Sequence, residues 1–546
     1  MPTLTRSGRA VLAGAAGLTL GGVLGGLAPA ALAGSAALTG LALAWVAASP
    51  LPRQMRRQRV EFSWWIPAHK GAPGRARRPD EAVPVRVVLR NPSEGTLELS
   101  MPRLALSQGL RYARAEGQRL RVPPRSAVSF EIEVRPAHPG RHVLHGVWLS
   151  LAGPLGLSWV PLYFPNPLVI EVEPRGFAAS STARAPRPPP SRARGGRSTR
   201  RAGEGPELKE LRDHQPGDAF RRIAWGPSAR RGKLLVRETE DEAQTTRVLV
   251  VDASATMRGD DRGHARIDHA VELTAQAARI SLSAGDRLGL VGFDRRVVLE
   301  VAPSDEAAHL RALVGGAMEL RSIVDEDLTE ADDDALIETV ARYFREQEGV
   351  DVARGAQPWE ARARLIDLAR RAAGNDPAMR LPVRAKESGS RELRAFCRAR
   401  AIPLPLRHDA TGMAKAQGLA EALRASVRGA RESRTVVVIS DLDALEVTEA
   451  VRLALGALRQ KRHRVSVVAL TGRDFIGAAP RDLSAEAREA REALIDLFVA
   501  EEEARVAQLR RRFAALGVAV WSADAKQPMA HWLRRTAGAR AAVTAR

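Results

Sequence analysis

Two aspartates follow short hydrophobic runs that are typical of buried strands, and their types and spacing indicate metal chemistry. Asp252 follows Val248–Val251 and opens the pattern Asp252-x-Ser254-x-Thr256, while Asp441 follows a later run of the same kind. A carboxylate with hydroxyls at alternate positions offers hard oxygen ligands on one loop. This donor set suits Mg²⁺ that keeps several waters, with Asp441 completing the shell directly or through water.

A third loop offers one more hydroxyl. Thr411 lies in Asp409-Ala410-Thr411-Gly412, directly ahead of a predicted helix. Serine and threonine at such places are more often helix caps or turn formers than ligands, so capping is the alternative for every hydroxyl of the candidate site.

The elements that must position these side chains alternate along the second half of the chain. Strands are predicted at 248–251, 287–293, 297–301, 435–440, 465–470 and 518–522, and helices at 267–283, 305–320, 445–460, 484–516 and 528–537. This order predicts an α/β fold with a largely parallel, doubly wound sheet, and the turn at 294–296 predicts one antiparallel edge. Ligands of such sheets bind beyond the carboxyl ends of the strands, where both aspartates are expected.

A helical insertion interrupts this α/β domain, predicted at 246–546, over about 322–410. It begins with two acidic runs, 325–327 and 332–334, and continues with predicted helices Ala335–Gln347 and Trp359–Ala373. The acidic runs lack the glycine and the ligand spacing of a calcium loop, so we predict a solvated surface, with partner docking as the alternative. The single cysteine, Cys397, is predicted to be a buried small hydrophobe.

The first loop resembles the metal-ion-dependent adhesion site of von Willebrand factor A domains. The resemblance rests on Asp252-x-Ser254-x-Thr256 after a first hydrophobic strand and on Asp441 after a later one. It implies that these residues hold Mg²⁺ together with Thr411 from another loop. It also implies that a carboxylate of a partner protein takes the remaining coordination position of the ion. Thr256 stands where the family has its second serine and keeps the hydroxyl.

A second resemblance lies just upstream, within residues 206–245. Leu211-Arg212-Asp213-His214-Gln215-Pro216-Gly217-Asp218, followed by Arg221-Arg222-Ile223-Ala224-Trp225 and by Ser228–Glu238, is similar to the signature of the domain of unknown function 58 family. The resemblance implies a bacterial protein with an N-terminal membrane hairpin, a β-rich segment and a von Willebrand A-like domain. It also implies a MoxR-type AAA+ ATPase as partner and an adaptor role.

The signature also has a physical interpretation. Gln215–Asp218 is predicted to be a turn, Trp225 an apolar anchor and Lys233–Glu238 a strand entering the sheet. The charged residues are predicted to form either a buried ion network or a face for an acidic partner. They are Arg212, Asp218, Arg221, Arg222, Arg230 and Arg231.

Two segments precede the signature. Short alternating runs over 58–175, clearest at Ser129–Val134, predict a small β-sandwich that serves as a spacer or docking module. Residues 178–205 are rich in Pro, Arg and Ser, with seven arginines at 184–201, and predict a basic linker that cannot bury a core. Binding of anionic lipid or nucleic acid through these arginines is the alternative.

The N-terminus predicts a membrane anchor. No charged residue occurs between Arg9 and Arg53, and Pro29 divides this stretch into Ala10–Ala28 and Ala30–Ala48. Two short transmembrane helices in a hairpin are predicted at 10–48, with a single anchor and a signal peptide cleaved after Ala33 as alternatives. Arginines on both flanks predict that both ends of the hairpin lie in the cytoplasm. We therefore predict that the hairpin spans the inner membrane.

Composition limits the remaining classes. The 546 residues are 45% hydrophobic and 27% charged with a net charge of +21 and one cysteine, which excludes global disorder, a disulfide framework and a multi-cysteine zinc cluster. Phosphate-loop, paired-histidine and Gly-x-Ser-x-Gly motifs are absent from the sequence, so a metal-dependent hydrolase ranks last. We therefore predict a non-enzymatic, membrane-anchored adaptor, with a basic scaffold for lipid or nucleic acid as the alternative function.

Overall fold

A computed structural model describes most of the chain, in two compact units. It describes residues 2–51, 60–67, 77–100, 102–113, 119–175, 198–213, 223–242, 245–259, 264–352, 355, 357–477 and 483–523, with only the backbone at 198–212 and 237–242. The first unit comprises Met1–Val172 with Val324–Leu404, and the second comprises Glu173–Ile323 with Pro405–Arg546.

The helices and strands of the described residues are numbered in chain order. The helices are α1 Arg6–Leu24, α2 Ala28–Ala48, α3 Trp225–Arg231, α4 Arg266–Ser283, α5 His309–Glu319, α6 Asp333–Tyr343, α7 Pro358–Ala373, α8 Ser388–Ala399, α9 Met413–Ser426, α10 Glu449–Gln460 and α11 Ala485–Ala515. The strands are β1 Thr3–Leu4, β2 Glu61–Trp65, β3 Val83–Asn91, β4 Leu97–Ser100, β5 Arg103–Leu106, β6 Leu110–Tyr112, β7 Arg119–Val122, β8 Ser126–Pro136, β9 Gly140–Ala152, β10 Ser158–Val172, β11 Ser198–Asp213, β12 Leu235–Glu242, β13 Thr246–Asp252, β14 Arg287–Phe293, β15 Val297–Ser304, β16 Arg434–Ser440, β17 Arg464–Leu470 and β18 Ala519–Ala523.

The predicted hairpin corresponds to α1 and α2. Both helices are long and apolar enough to cross a membrane. They approach closely through small residues, because a Cβ on Gly22 would overlap the backbone of Ala31 and one on Gly34 would overlap Thr19. Most of their large apolar side chains face outward, as expected of helices surrounded by lipid.

Two antiparallel sheets follow the hairpin within the first unit. One has the order β1-β10-β9-β4-β7, with β5 also on β9, and the other has the order β2-β3-β8-β6. One hydrophobic cluster contains residues of both sheets, including Val87, Leu144 and Ile170. Alternate burial is clearest in β3, where every second residue is buried. Ala48 at the end of α2 belongs to the same cluster, which joins the hairpin to the sandwich.

The helical insertion belongs to the same unit as the sandwich, whereas we predicted it as part of the α/β domain. Arg141 on β9 donates to the carbonyl of Ala399 at 2.9 Å and pairs with Asp376, and the Tyr163 hydroxyl donates to Gln347 at 2.7 Å. These long-range contacts could not be read from the sequence order, which places the insertion between strands of the other unit.

A six-stranded sheet forms the centre of the second unit, in the order β15-β14-β13-β16-β17-β18. Neighbours from β14 to β18 run parallel, while β15 is antiparallel to β14 at the edge. Val248 and Val250 join one hydrophobic cluster with α9, α10 and α11, and Leu249 and Val251 join another with α4 and α5. The predicted α/β class and the edge turn are therefore confirmed, with helices on both faces of the sheet.

The first part of the second unit differs from the prediction. β12 pairs antiparallel with β11 in a separate two-stranded sheet and does not enter the central one. β11 also runs across the boundary that we predicted between the linker and the signature. The predicted helix at 528–537 and the linker residues 178–197 lie outside the described residues.

Candidate functional site

The central sheet brings Asp252 and Asp441 to the same edge. Asp252 ends β13 and Asp441 directly follows the adjacent parallel strand β16, with Val251 in register with Ile439, so both aspartates lie at the carboxyl ends of the two strands. Both side chains are completely buried. The predicted proximity of the two aspartates is thus found in the structure.

The Asp252 loop is held by hydrogen bonds within the site. Asp252 Oδ1 accepts from the backbone N–H of Ser254 at 3.0 Å, and Oδ2 accepts from the Ser440 hydroxyl at 2.6 Å. The hydroxyls of Ser254 and Thr256 lie 3.1 Å apart. The residues of the predicted first loop therefore lie together after β13.

The Asp441 loop turns sharply after its strand. Asp441 Oδ1 accepts from the backbone N–H of Asp443 at 2.9 Å, and Leu442 and Ala444 adopt left-handed φ angles of 58° and 47°. Non-glycine residues adopt this conformation at a cost and cluster at functional sites. Asp441 Oδ2 is buried without a hydrogen-bond partner among the described residues.

Lys415 occupies the centre of the site, and sequence reasoning missed it. Its Nζ lies 2.8 Å from Asp252 Oδ2 and 2.8 Å from Asp441 Oδ1, and it donates to the Thr256 hydroxyl at 3.1 Å and to the carbonyl of Asp443 at 2.9 Å. Burial lowers the pKa of the ammonium, but the two carboxylates raise it by more. A signal existed in the sequence, because Lys415 is a rare lysine just after the Thr411 loop.

Thr411 has other partners. Its hydroxyl donates to Asp409 Oδ1 at 2.8 Å and accepts from the N–H of Met413, so it belongs to the turn that starts α9. Asp409 Oδ2 caps the helix by accepting from the N–H groups of Ala414 and Lys415. Burial raises the pKa of Asp409, but these hydrogen bonds outweigh burial and lower it overall.

Two further charges lie beside the carboxylates. Burial, followed by the charge of Asp252, raises the pKa of Asp294 at the end of β14 to about 6. Burial, followed by the charge of Arg321, lowers the pKa of Arg258 to about 10. Arg258 donates to the carbonyls of Leu320 and Arg321 and holds the Asp252 loop against the end of α5.

This arrangement does not fit a magnesium ion. The position between Asp252 and Asp441 that a divalent ion would need is filled by the Lys415 ammonium, which uses one oxygen of each carboxylate. Among the described residues, no group of three or more His, Cys, Asp or Glu side chains is arranged to hold a metal. Three of the five predicted ligands, Asp252, Thr256 and Asp441, therefore contact a nitrogen cation of the chain itself. Ser254 contacts Thr256, and Thr411 contacts Asp409 and Met413 instead.

The signature residues are only partly described. Trp225 begins α3 and is 54% exposed, which differs from the predicted apolar anchor, and Arg230 and Arg231 are exposed in the last turn of α3. Arg212 lies in β11, where only the backbone is described, and Asp218, Arg221 and Arg222 lie outside the described residues. The neighbouring Asp213 pairs with Lys233 at 2.8 Å.

The fold and site thus define a mixed α/β protein with two apolar N-terminal helices and a buried lysine–aspartate centre. Residues 210–342 match the model of the family described as "Protein of unknown function DUF58". This match overlaps the predicted signature at residues 206–245, so the predicted resemblance to that family is confirmed. No curated protein matches the chain.

The chain is also similar to solved structures at low identity. The conserved hypothetical protein BatB from Bacteroides thetaiotaomicron is 11% identical, with 51% of this chain and 90% of that chain covered at a TM-score of 0.22. An aerotolerance-related membrane protein from Bacteroides fragilis NCTC 9343 is 12% identical, with 44% and 78% covered at 0.19. An uncharacterized membrane spanning protein from Vibrio fischeri is 14% identical, with 55% and 100% covered at 0.14. These low scores assign no function to the chain.

Proposed function

We propose that this protein is a membrane-anchored, non-enzymatic adaptor that binds a MoxR-type AAA+ ATPase. The hairpin tethers the chain to the inner membrane, both soluble units face the cytoplasm, and the second unit engages the partner. We also propose that the second unit is von Willebrand A-like. Two aspartate loops at the carboxyl edge of its parallel sheet support this proposal.

The observation that carries the proposal is an apolar surface on the first half of α11. Leu494, Leu497 and Phe498 are 66%, 58% and 42% exposed, and their spacing places them on one face. The buried side chains of this helix all lie further along, from Glu502 to Phe513. A helix that leaves apolar side chains in water at helical spacing is a typical ligand for an apolar groove.

The charge near this surface restricts the partner. Residues 485–503 contain seven Asp and Glu but only two Arg, in a chain whose net charge is +21. An apolar groove with a basic rim would complement the helix, and complementary charge mainly adds specificity and association rate. We therefore assign this face to a groove of the ATPase.

The two central aspartates and the cysteine support a binding role. The carboxylates of Asp252 and Asp441 are paired with Lys415 and cannot act as free general bases in this arrangement. Burial raises the pKa of the Cys397 thiol to about 12, which keeps it protonated and unreactive near neutral pH.

The test is direct binding of the full chain, in detergent, to purified MoxR-type ATPases by biolayer interferometry. The double variant Leu497→Asp, Phe498→Asp should bind at least about tenfold more weakly, because it places charge in a desolvated groove. Leu453→Asp is the matched control, since Leu453 is 62% exposed on α10 and should bind like the wild type.

Two outcomes would contradict the proposal. Wild-type protein that binds none of the MoxR-type ATPases would remove the partner assignment. Equal binding by the wild type and the double variant would show that the α11 face is not the contact.

A further inference from the structure

The centre of the carboxyl edge contains four acceptors around one nitrogen. The Lys415 ammonium has three protons, and within 3.1 Å it meets Asp252 Oδ2, Asp441 Oδ1, the Thr256 hydroxyl and the Asp443 carbonyl. These are the oxygen types that a hard cation prefers. No proton of the ammonium is left over for a partner's carboxylate.

The backbone holds Lys415 over this position from two sides. A Cβ on Gly412, whose φ is 68°, would overlap the carbonyl oxygen of Ala444, so the start of α9 lies directly on the Asp441 loop. A Cβ on Gly418 would overlap the carbonyl oxygen of Asp294, so the next turn of α9 lies on the end of β14. Asp409 caps the helix at the N–H of Lys415 itself.

A lysine suits this position better than an arginine because its charged group is compact. Only seven of the 84 Lys and Arg residues in the sequence are lysines, yet one of them is 3% exposed between two buried aspartates. An ammonium is a small point charge with donors in several directions, whereas a guanidinium is a wide planar fork. The space between two adjacent strand ends suits the ammonium.

We propose that Lys415 is a built-in cation that takes the place of a divalent metal at this site. Lys415, Asp252, Asp441 and Thr256 then form a metal-independent centre that joins α9 to the Asp252 loop and the Asp441 loop. The inference goes beyond the proposed function and does not depend on it, because metal uptake is measured without any partner.

The experiment is titration of the full chain in detergent with Mn²⁺, followed by electron paramagnetic resonance, and with Mg²⁺, followed by calorimetry. Wild-type protein should take up no ion at this site and should unfold at the same temperature in EDTA and in Mg²⁺. Lys415→Ala leaves two buried carboxylates and a vacated position, so it should bind one equivalent of Mn²⁺ and gain thermal stability with Mg²⁺.

Two variants control this result. Lys415→Ala combined with Asp441→Asn should lose the acquired ion, which locates it between the strands. Lys233→Ala, which removes an exposed lysine paired with Asp213, should behave as the wild type.

Opposite outcomes overturn the inference. Wild-type protein that binds one Mn²⁺ and loses it on Asp441→Asn would show a true metal site. A folded Lys415→Ala that binds no ion would show that Lys415 does not substitute for one. If Lys415→Ala folds only with Mg²⁺ present, the inference is supported, and if it does not fold at all, the wild-type titration decides.

Discussion

At the residue scale, Gly412 decides whether α9 can begin against the Asp441 loop. It combines a left-handed φ of 68° with contact to the Ala444 carbonyl, and both requirements exclude a side chain. Gly429 has nearly the same φ, 66°, but open space where its Cβ would lie. Substitutions at these two glycines can therefore distinguish the free-energy cost of the left-handed conformation from the free-energy cost of steric overlap.

We predict that Gly412→Ala destabilises the second unit by about 3 kcal/mol or more, because overlap adds to the cost of the left-handed conformation. Gly429→Ala should cost only about 1–2 kcal/mol. Thermal unfolding of both variants in detergent checks this difference. Equal costs would mean that α9 can shift away from Ala444 without penalty.

His145 gives a prediction on pH dependence in the first unit. Burial, followed by the charge of Arg400, lowers its pKa to about 4 from 6.5, and its Nδ1 lies 3.2 Å from the Tyr343 hydroxyl. Because the unfolded state binds the proton more readily, the contribution of neutral His145 is complete above about pH 6.5. It is lost as the pH falls toward 4.

We predict that the wild type loses about 2 kcal/mol more stability than His145→Gln between about pH 7 and about pH 5, since glutamine does not titrate. Urea unfolding at the two pH values measures the difference. His408→Gln, at an exposed histidine, should follow the wild type. Equal losses in the wild type and His145→Gln would mean that folding does not lower the pKa of His145.

At the element scale, the hairpin depends on small residues between α1 and α2. A Cβ on Gly22 would overlap the backbone of Ala31, whereas one on the adjacent Gly21 would meet no atom within 4 Å. Without a hydrophobic force between helices in lipid, such close packing provides much of the association energy.

Gly22→Leu should therefore separate the helices, while Gly21→Leu should leave them packed. Protease resistance and thermal stability of the full chain in detergent should fall for Gly22→Leu alone. The two variants add the same apolar side chain one position apart, so hydrophobicity and helix propensity are matched. A similar loss for both would indicate that the close contact of α1 and α2 at Gly22 is not what stabilises the hairpin.

At the scale of the whole molecule, both ends of the hairpin join the same sandwich. Thr3 and Leu4 pair with Trp159 and Ser158 on β10, and Ala48 is buried in the sandwich core. A pair of helices tied at both ends to one domain must return to the side from which it started. The arginines that flank the hairpin predict the same topology.

We predict that a cysteine at Gly26, between the two helices, reacts with an impermeant maleimide in intact spheroplasts, in a Cys397→Ala background. A cysteine at Glu94, on an exposed turn of the sandwich, should react only after permeabilisation. Labelling of Glu94→Cys but not Gly26→Cys in intact spheroplasts would instead mean that the sandwich is exported. Labelling of both would mean that the two sites lie on the same side and that no hairpin crosses the membrane between them.

The sequence by itself determined the elements, because apolar runs and their spacing report which faces must leave water. The runs at Val248–Val251 and before Asp441 became adjacent parallel strands, and the rule for parallel sheets correctly placed both aspartates at one edge. The family signature and the two apolar N-terminal helices were likewise predictable.

Only the tertiary structure decided what lies between those aspartates. Lys415 is 26 residues from Asp441 and 159 from Thr256 in the chain, and no local pattern encodes a contact that arises when α9 packs across the ends of three loops. The same holds for the insertion, which leaves its sequence neighbours to pack with the sandwich. The periodicity of apolar residues indicates which side chains of one helix or strand are buried. The identity of the buried cation depends instead on which helices and strands pack together.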